Sequence, residues 1–262
     1  MGVAVAFTDE QLLAALAQYL LPFFRVAAFV GAVPLISTGL VSARIRLFLA
    51  FAISFAVAPT VAPSPAIDPL SVQTLILILQ QVLIGLSMGF VLQIIFAAVV
   101  NGGQIVGMQM GLGFAQMMDP QTGVSVPVVS QFFNLLAILL FLALNGHLIA
   151  ISVMAESFQV LPIGQGWVGN EGLLGLVKFG AWIFSGGLLM ALPAVAALLL
   201  INIIMGVITR ATPQMNIFAV GFSITIVGGF VVLVAALASI GQQIEGMFGA
   251  ALDFMRALLT AG

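Results

Sequence analysis

The chain has 262 residues, of which 63% are hydrophobic and only 5% charged, with a formal net charge of -2. Soluble domains carry about 25% charged residues, so this composition implies an integral membrane protein or an obligate part of a membrane complex. It excludes a nucleic-acid-binding surface, because no Lys/Arg cluster is present. With no cysteine and a single histidine, disulfides, thiolate sites and multi-histidine metal sites within the chain are excluded as well.

Thr8-Asp-Glu-Gln11 reads as a capping box that opens a first helix, running from about Asp9 to about Val33. Pro22 lies inside it and predicts a kink, with Arg25 one turn further on. Asp9 and Glu10 stand where a cleavable signal would be positive, and Ala6 breaks a myristoylation pattern, so neither process is expected. A second helix is predicted over about Val41 to Ala58, followed by a connector with four prolines between Pro59 and Pro69. The third runs from about Leu70 to Gly107, too long for one straight span, so it projects beyond the bilayer or breaks.

Residues 101–123 hold six glycines, four methionines and one charge, Asp119. That is too apolar for an exposed loop and too glycine-rich for a good helix. Glycine allows bending, while Met108, Met110, Met117, Met118 and Phe114 would seal without chemical specificity. The plain alternative is apolar core filling. Gly85 and Gly89, and Gly103, Gly107 and Gly111, recur every fourth residue. Such spacing gives smooth helix faces, for ordinary packing or for contact with partner subunits.

Pro127 suits the first turn of a fourth helix, which reaches toward Glu156 with an interruption at Asn145-Gly146. Residues 161–172 form the clearest internal boundary. A fifth helix, Leu173 to Met205 with Pro193 inside, leads to a polar turn at Thr209–Gln214. A sixth starts near Gln214, with a break at Gly241 and an amphipathic tail carrying Glu245, Asp253 and Arg256. The fold class is therefore all-α, with about six long, partly kinked helices. Arg44, Arg46 and Arg210 as cytoplasmic markers would face both termini outward.

Arg25, Asn134, Asn145, His147, Glu156 and Asn202 are polar groups in or near apolar segments. A charge at mid-bilayer costs about 2.5–3.5 kcal/mol on insertion scales, so each needs a partner or water. Structural hydrogen bonding is the favoured reading, and a proton relay is the alternative. No HExxH, Gly-x-Ser-x-Gly or Walker loop is present, so no catalytic residue and no cofactor are assigned.

Four stretches carry a resemblance: Pro22-Phe-Phe-Arg25, Gln109–Pro120, Asn145-Gly-His-Leu148 and Leu161-Pro-Ile-Gly164. With Ala211-Thr-Pro-Gln214, their order and spacing resemble the FliR/SctT family of type III secretion export gates. The resemblance covers essentially the whole chain. It implies a FliP-like part over 1–165 and a FliQ-like helical hairpin over 166–262. It also implies assembly with several copies of FliP and FliQ, near FlhA-like and FlhB-like export proteins and membrane lipid, as a channel for unfolded flagellar substrates. The implied place is the flagellar basal body in the bacterial inner membrane, part of it raised on the periplasmic side. The family's pore plug maps onto Gly107, Met108, Gln109, Met110, Gly111, Leu112, Gly113, Phe114, Met117 and Met118. The injectisome branch of the same gate, or a small-molecule secondary transporter with broken helices, are the alternative readings.

Overall fold

The computed structural model describes residues 9–37, 41–62, 71–113, 128–165, 168–211 and 217–260. The described residues are mostly helical, and none of them is in a strand. In chain order the helices are α1 (Asp9–Ala32), α2 (Pro34–Ser37), α3 (Ala43–Val57), α4 (Val72–Gln109), α5 (Val128–Ala143), α6 (Gly146–Val160), α7 (Asn170–Phe179), α8 (Trp182–Ala211) and α9 (Ile217–Thr260). A 3₁₀ turn, Ala58–Thr60, extends α3. The expected capping residue Thr8, the helix-opening Pro127 and residues 212–214 of the expected turn lie outside the described residues.

Local chemistry explains most of the boundaries. Pro34 ends the α1 pattern and opens the one-turn α2, a position that tolerates its missing N–H. The Ser42 hydroxyl accepts from the Ile45 N–H and caps α3. The Ser71 hydroxyl does the same for the Thr74 N–H at the start of α4. In α7, Glu171 in the first turn and Lys178 in the last complement the helix dipole.

Three sequence expectations change. The fifth predicted helix is two, α7 and α8, because the ladder breaks at Gly180-Ala181. The Gly180 N–H is shared between the Leu176 and Val177 carbonyls, and the Ala181 carbonyl starts a new ladder to Phe184 and Ser185. The sixth is one helix of 44 residues, with Gly241 inside it and no separate tail. Thr209 and Arg210 belong to the last turn of α8 rather than to a turn between helices.

Among the described residues, four segments are long and apolar enough to cross a membrane: 43–60, 72–109, 170–211 and 223–260. The broken pair α5 and α6 makes a fifth if taken as one span. The first expected helix is α1, within which Ala17–Ala32 is an apolar stretch among the described residues.

Two compact units divide the chain: Met1–Gln93 with Gly146–Gly180 and Ala250–Gly262, and Ile94–Asn145 with Ala181–Gly249. In the first, α1 packs along α3. Tyr19 stacks on Phe55 and Phe23 meets Phe51 edge-on, with ring centroids 5.7 and 6.4 Å apart. Gln18 Nε2 donates to the Ala58 carbonyl, and Gln93 Nε2 to the Ala32 carbonyl, which α1 cannot satisfy itself. In the second unit, Phe96, Phe141 and Phe248 form an aromatic cluster with centroids 4.9–5.8 Å apart. Asn101 Nδ2 donates to the Ile183 carbonyl at 2.9 Å.

Candidate functional site

Arg25 is fully buried in the first unit, and among the described residues no carboxylate pairs with it. Its Nε donates to Gln81 Oε1 at 2.8 Å. Nη1 donates to the Ser157 carbonyl at 2.9 Å and to Ser157 Oγ at 3.0 Å, and Nη2 to the Leu161 carbonyl at 2.9 Å. The Phe158 ring lies 4.2 Å from the guanidinium carbon, at cation–π distance. A planar fork with five donors suits this site, where one cation must reach acceptors on three segments. Among the described residues, dipoles and a ring solvate the cation.

Two stretches that look unrelated in sequence meet here. Pro22-Phe-Phe-Arg25 supplies the guanidinium, and Leu161-Pro-Ile-Gly164 supplies an acceptor. The second stretch is shaped for that. The Gln165 N–H donates to the Pro162 carbonyl and Gly164 has φ 83°, so the segment turns in the conformation that requires a positive φ at its third residue. Gly85 adds to the node. A Cβ there would collide with the Arg25 carbonyl oxygen, so α4 runs close against α1 only because residue 85 has no side chain. At Gly89 the added atom would overlap the Ala32 Cβ and stand 3.0 Å from the Phe29 carbonyl oxygen.

The second locus is the end of α4. The Leu112 N–H donates to the Gly107 carbonyl and the Gly111 N–H to the Met108 carbonyl, at 3.1 and 3.0 Å. Gly111 has φ 84°. This is a Schellman stop, in which the left-handed residue is glycine because any Cβ would be strained. Gly111 therefore does not share a helical face with Gly103 and Gly107, as the spacing of four predicted; it ends the helix. Gly103 packs inside the unit, where a Cβ would stand 2.7 Å from the Ser130 Cα of α5. Gly107 is buried, and Gln109, the last residue of α4, is half-buried. Met108 is 57% exposed, whereas Met110 is fully buried. Leu112 and Gly113 are half-buried; Phe114, Met117 and Met118 lie outside the described residues.

The remaining polar candidates are spread out. Asn145 has φ 56°, a left-handed conformation that asparagine tolerates, and it separates α5 from α6. His147 sits in the first turn of α6, with Nδ1 buried and unpartnered among the described residues. Glu156 is exposed, accepts from Ser152 Oγ and lies 3.8 Å from Arg256. Asn202 Oδ1 accepts from Thr225 Oγ1 at 3.4 Å. No metal-binding cluster of His, Asp or Glu occurs among the described residues. Arg25, Asn202 and Glu156 have separate partners, so they form no relay chain.

Sequence reasoning missed Gln81, Ser157 and Phe158 as the surroundings of Arg25, and Gly229 as the neighbour of Met110. A signal existed for two of these. Gln80-Gln81 interrupts an apolar helix, and Gly228-Gly229 is a glycine pair in the interior of another.

The whole arrangement has close relatives. A 38% identity over 97% of both chains links it to the Flagellar biosynthetic protein FliR of Escherichia coli (strain K12). Proteins of the same name from Bacillus subtilis (strain 168) and Aquifex aeolicus (strain VF5) are 30% and 34% identical, over 92% and 88% of this chain and 94% and 88% of theirs. Residues 16–251 match the profile described as "Bacterial export proteins, family 1". The chain belongs to family 1 of the bacterial export proteins.

Proposed function

We propose that this chain is a non-enzymatic structural subunit of the flagellar type III export gate. It assembles with FliP and FliQ, alongside FlhA-like and FlhB-like export proteins, around a channel for unfolded flagellar substrates. The observation that carries this reading is the likeness, along nearly the full chain, to proteins named for flagellar biosynthesis in three distant bacteria.

Physical features support an assembled rather than a lone state. The uncharged helix α4 has 38 residues, about 57 Å. Helices tilt by up to about 40°, at which about 39 Å would cross a 30 Å hydrocarbon core, so one end of α4 stands outside it. That favours a subunit partly raised from the inner membrane. The outer faces of α3, α8 and α9 carry many exposed large apolar side chains, among them Phe48, Phe51, Phe184, Ile203, Val231 and Val234. Such faces need lipid or partner helices. The division into a FliP-like part over 1–165 and a FliQ-like hairpin over 166–262 belongs to the same reading.

Within the gate, residues 107–118 close the pore when it is idle. Glycine provides bending and methionine a seal that accepts many polypeptide sequences. Energy comes from partners, since no nucleotide-binding motif is present. The test is ion conductance of the purified, reconstituted assembly with residues 107–118 shortened. A raised small-ion leak is expected, and a conductance equal to the parent's would refute the closing role.

A further inference from the structure

We propose that Met110 is a positioning residue that seats the root of the closing segment in a glycine notch on α9, and that the pore opens only when it leaves this seat. The inference rests on the pore-closing reading above and adds which residues hold the segment shut.

Met110 and Gly229 fit one another within the second unit. A Cβ on residue 229 would stand 2.6 Å from Met110 Cγ, 2.7 Å from Cε and 3.1 Å from Sδ. Three side-chain atoms of one methionine thus occupy the volume that any other residue at 229 would claim. Glycine within a helix lowers its stability relative to alanine, so its presence there calls for a reason. Gly241, Gly246 and Gly249 on the same helix meet nothing within 4 Å, so close approach is not a general property of the α9 glycines.

The Schellman stop supplies the aim. It fixes the chain direction from Gly107 to Leu112 and presents successive methionines differently. Met110 has no exposed surface, whereas Met108 is 57% exposed. Met110 is the anchor, and Met108 is left for whatever meets the segment. The seat holds the thioether through dispersion and shape, with no directional bond. A contact of that kind is firm at rest and separable without leaving an unpaired polar group behind.

The natural absence of cysteine makes the test clean within this chain. Met110→Cys with Gly229→Cys brings two thiols within disulfide reach, since a Cβ at 229 would stand 2.6 Å from Met110 Cγ; the comparison pair is Met108→Cys with Gly229→Cys, at a methionine that is more than half exposed and not among the nearest neighbours of that Cβ. In the full assembly reconstituted with its FliP and FliQ partners, an added copper–phenanthroline oxidant should link the first pair in most molecules, and the second at least about tenfold less. The linked assembly should keep the parent's low ion leak and lose export of a flagellar substrate, and a reductant should restore export. Failure of the first pair to link, or normal export while linked, would overturn the seat.

Gly229→Ala is a second variant. The three atoms nearest its methyl belong to the flexible Met110 side chain, so the complex should form in normal amount while leaking ions several-fold more; a parent-level leak would count against the proposal. The 107–118 deletion separates the two ideas. A leaking deletion together with normal export from the linked pair defeats the seat alone. A deletion that does not leak defeats the closing role, and the seat with it.

Discussion

The surroundings of Arg25 and of Met110 solve the same problem, fixing a long side chain in an apolar helical protein, in opposite ways. Arg25 is held by direction: four hydrogen bonds and an aromatic face converge on one guanidinium. Met110 is held by shape: its thioether fills a volume left by a missing side chain. The first arrangement tolerates no rearrangement, because each displaced donor leaves a buried acceptor unpaired. The second loses only dispersion contacts when it shifts. The difference teaches which part of the molecule is built to stay and which to move. The polar node ties α1, α4 and the 157–161 segment permanently, and the methionine seat is reversible.

The strongest way to break this comparison is at the polar node. Arg25→Ala should destabilise the chain by about 3–5 kcal/mol, since it strands buried polar partners and opens a cavity. Arg25→Lys keeps the charge and should still cost about 2–3 kcal/mol, because a single ammonium cannot reach Gln81, Ser157 and Leu161 together. Thermal unfolding of the detergent-purified assembly, with the steady-state amount of chain in cells, measures both. If Lys behaved as the parent, charge rather than fork geometry would be what the site needs.

Next in size is the close approach between helices. Gly103→Ala places a methyl 2.7 Å from the Ser130 Cα, a backbone atom that cannot rotate away. A loss of about 1–3 kcal/mol is expected. Gly241→Ala, with open space around it, is the control and should be neutral or stabilising by up to about 1 kcal/mol. Equal effects at the two positions would show that glycine acts through backbone freedom rather than through space.

The conservative exchange at the methionine seat should be milder than at the arginine. Met110→Leu nearly conserves volume and should cost less than about 1.5 kcal/mol. A loss as large as that of Arg25→Lys would erase the contrast between direction and shape.

Much of this was legible in the sequence, and what was not has physical causes. Asn145-Gly146 announced a break, because asparagine accepts the left-handed conformation found there. Gly85, Gly89 and Gly103 announced close approach, because their spacing follows the helix period. Gly111 has the same spacing but ends the helix, since a spacing of four carries no information about where a helix stops. Gly241 looked like a break and is not one, because α9 continues unbroken through it: a single glycine inside a helix costs only about 1 kcal/mol, which a long helix absorbs. The partners of Arg25 are 56 to 136 residues away in the chain, a separation that no local pattern encodes. The notch at Gly229 is legible only once its occupant is seen.

The smallest expected effect concerns the exposed pair Glu156 and Arg256, which sharpens the reading of Arg25 by holding chemistry constant while changing burial. The Arg256 guanidinium lies 3.8 Å from Glu156, with about half of each side chain exposed. Water already solvates both charges, salt screens them, and ordering two long side chains costs entropy, so the pair contributes within about 0.5 kcal/mol. Glu156→Gln should therefore leave thermal unfolding almost unchanged, and what small effect exists should vanish at high salt. A loss comparable to that of Arg25→Lys would mean that partner subunits bury this pair in the assembly. The two arginines would then differ in which chain supplies their surroundings, rather than in burial itself.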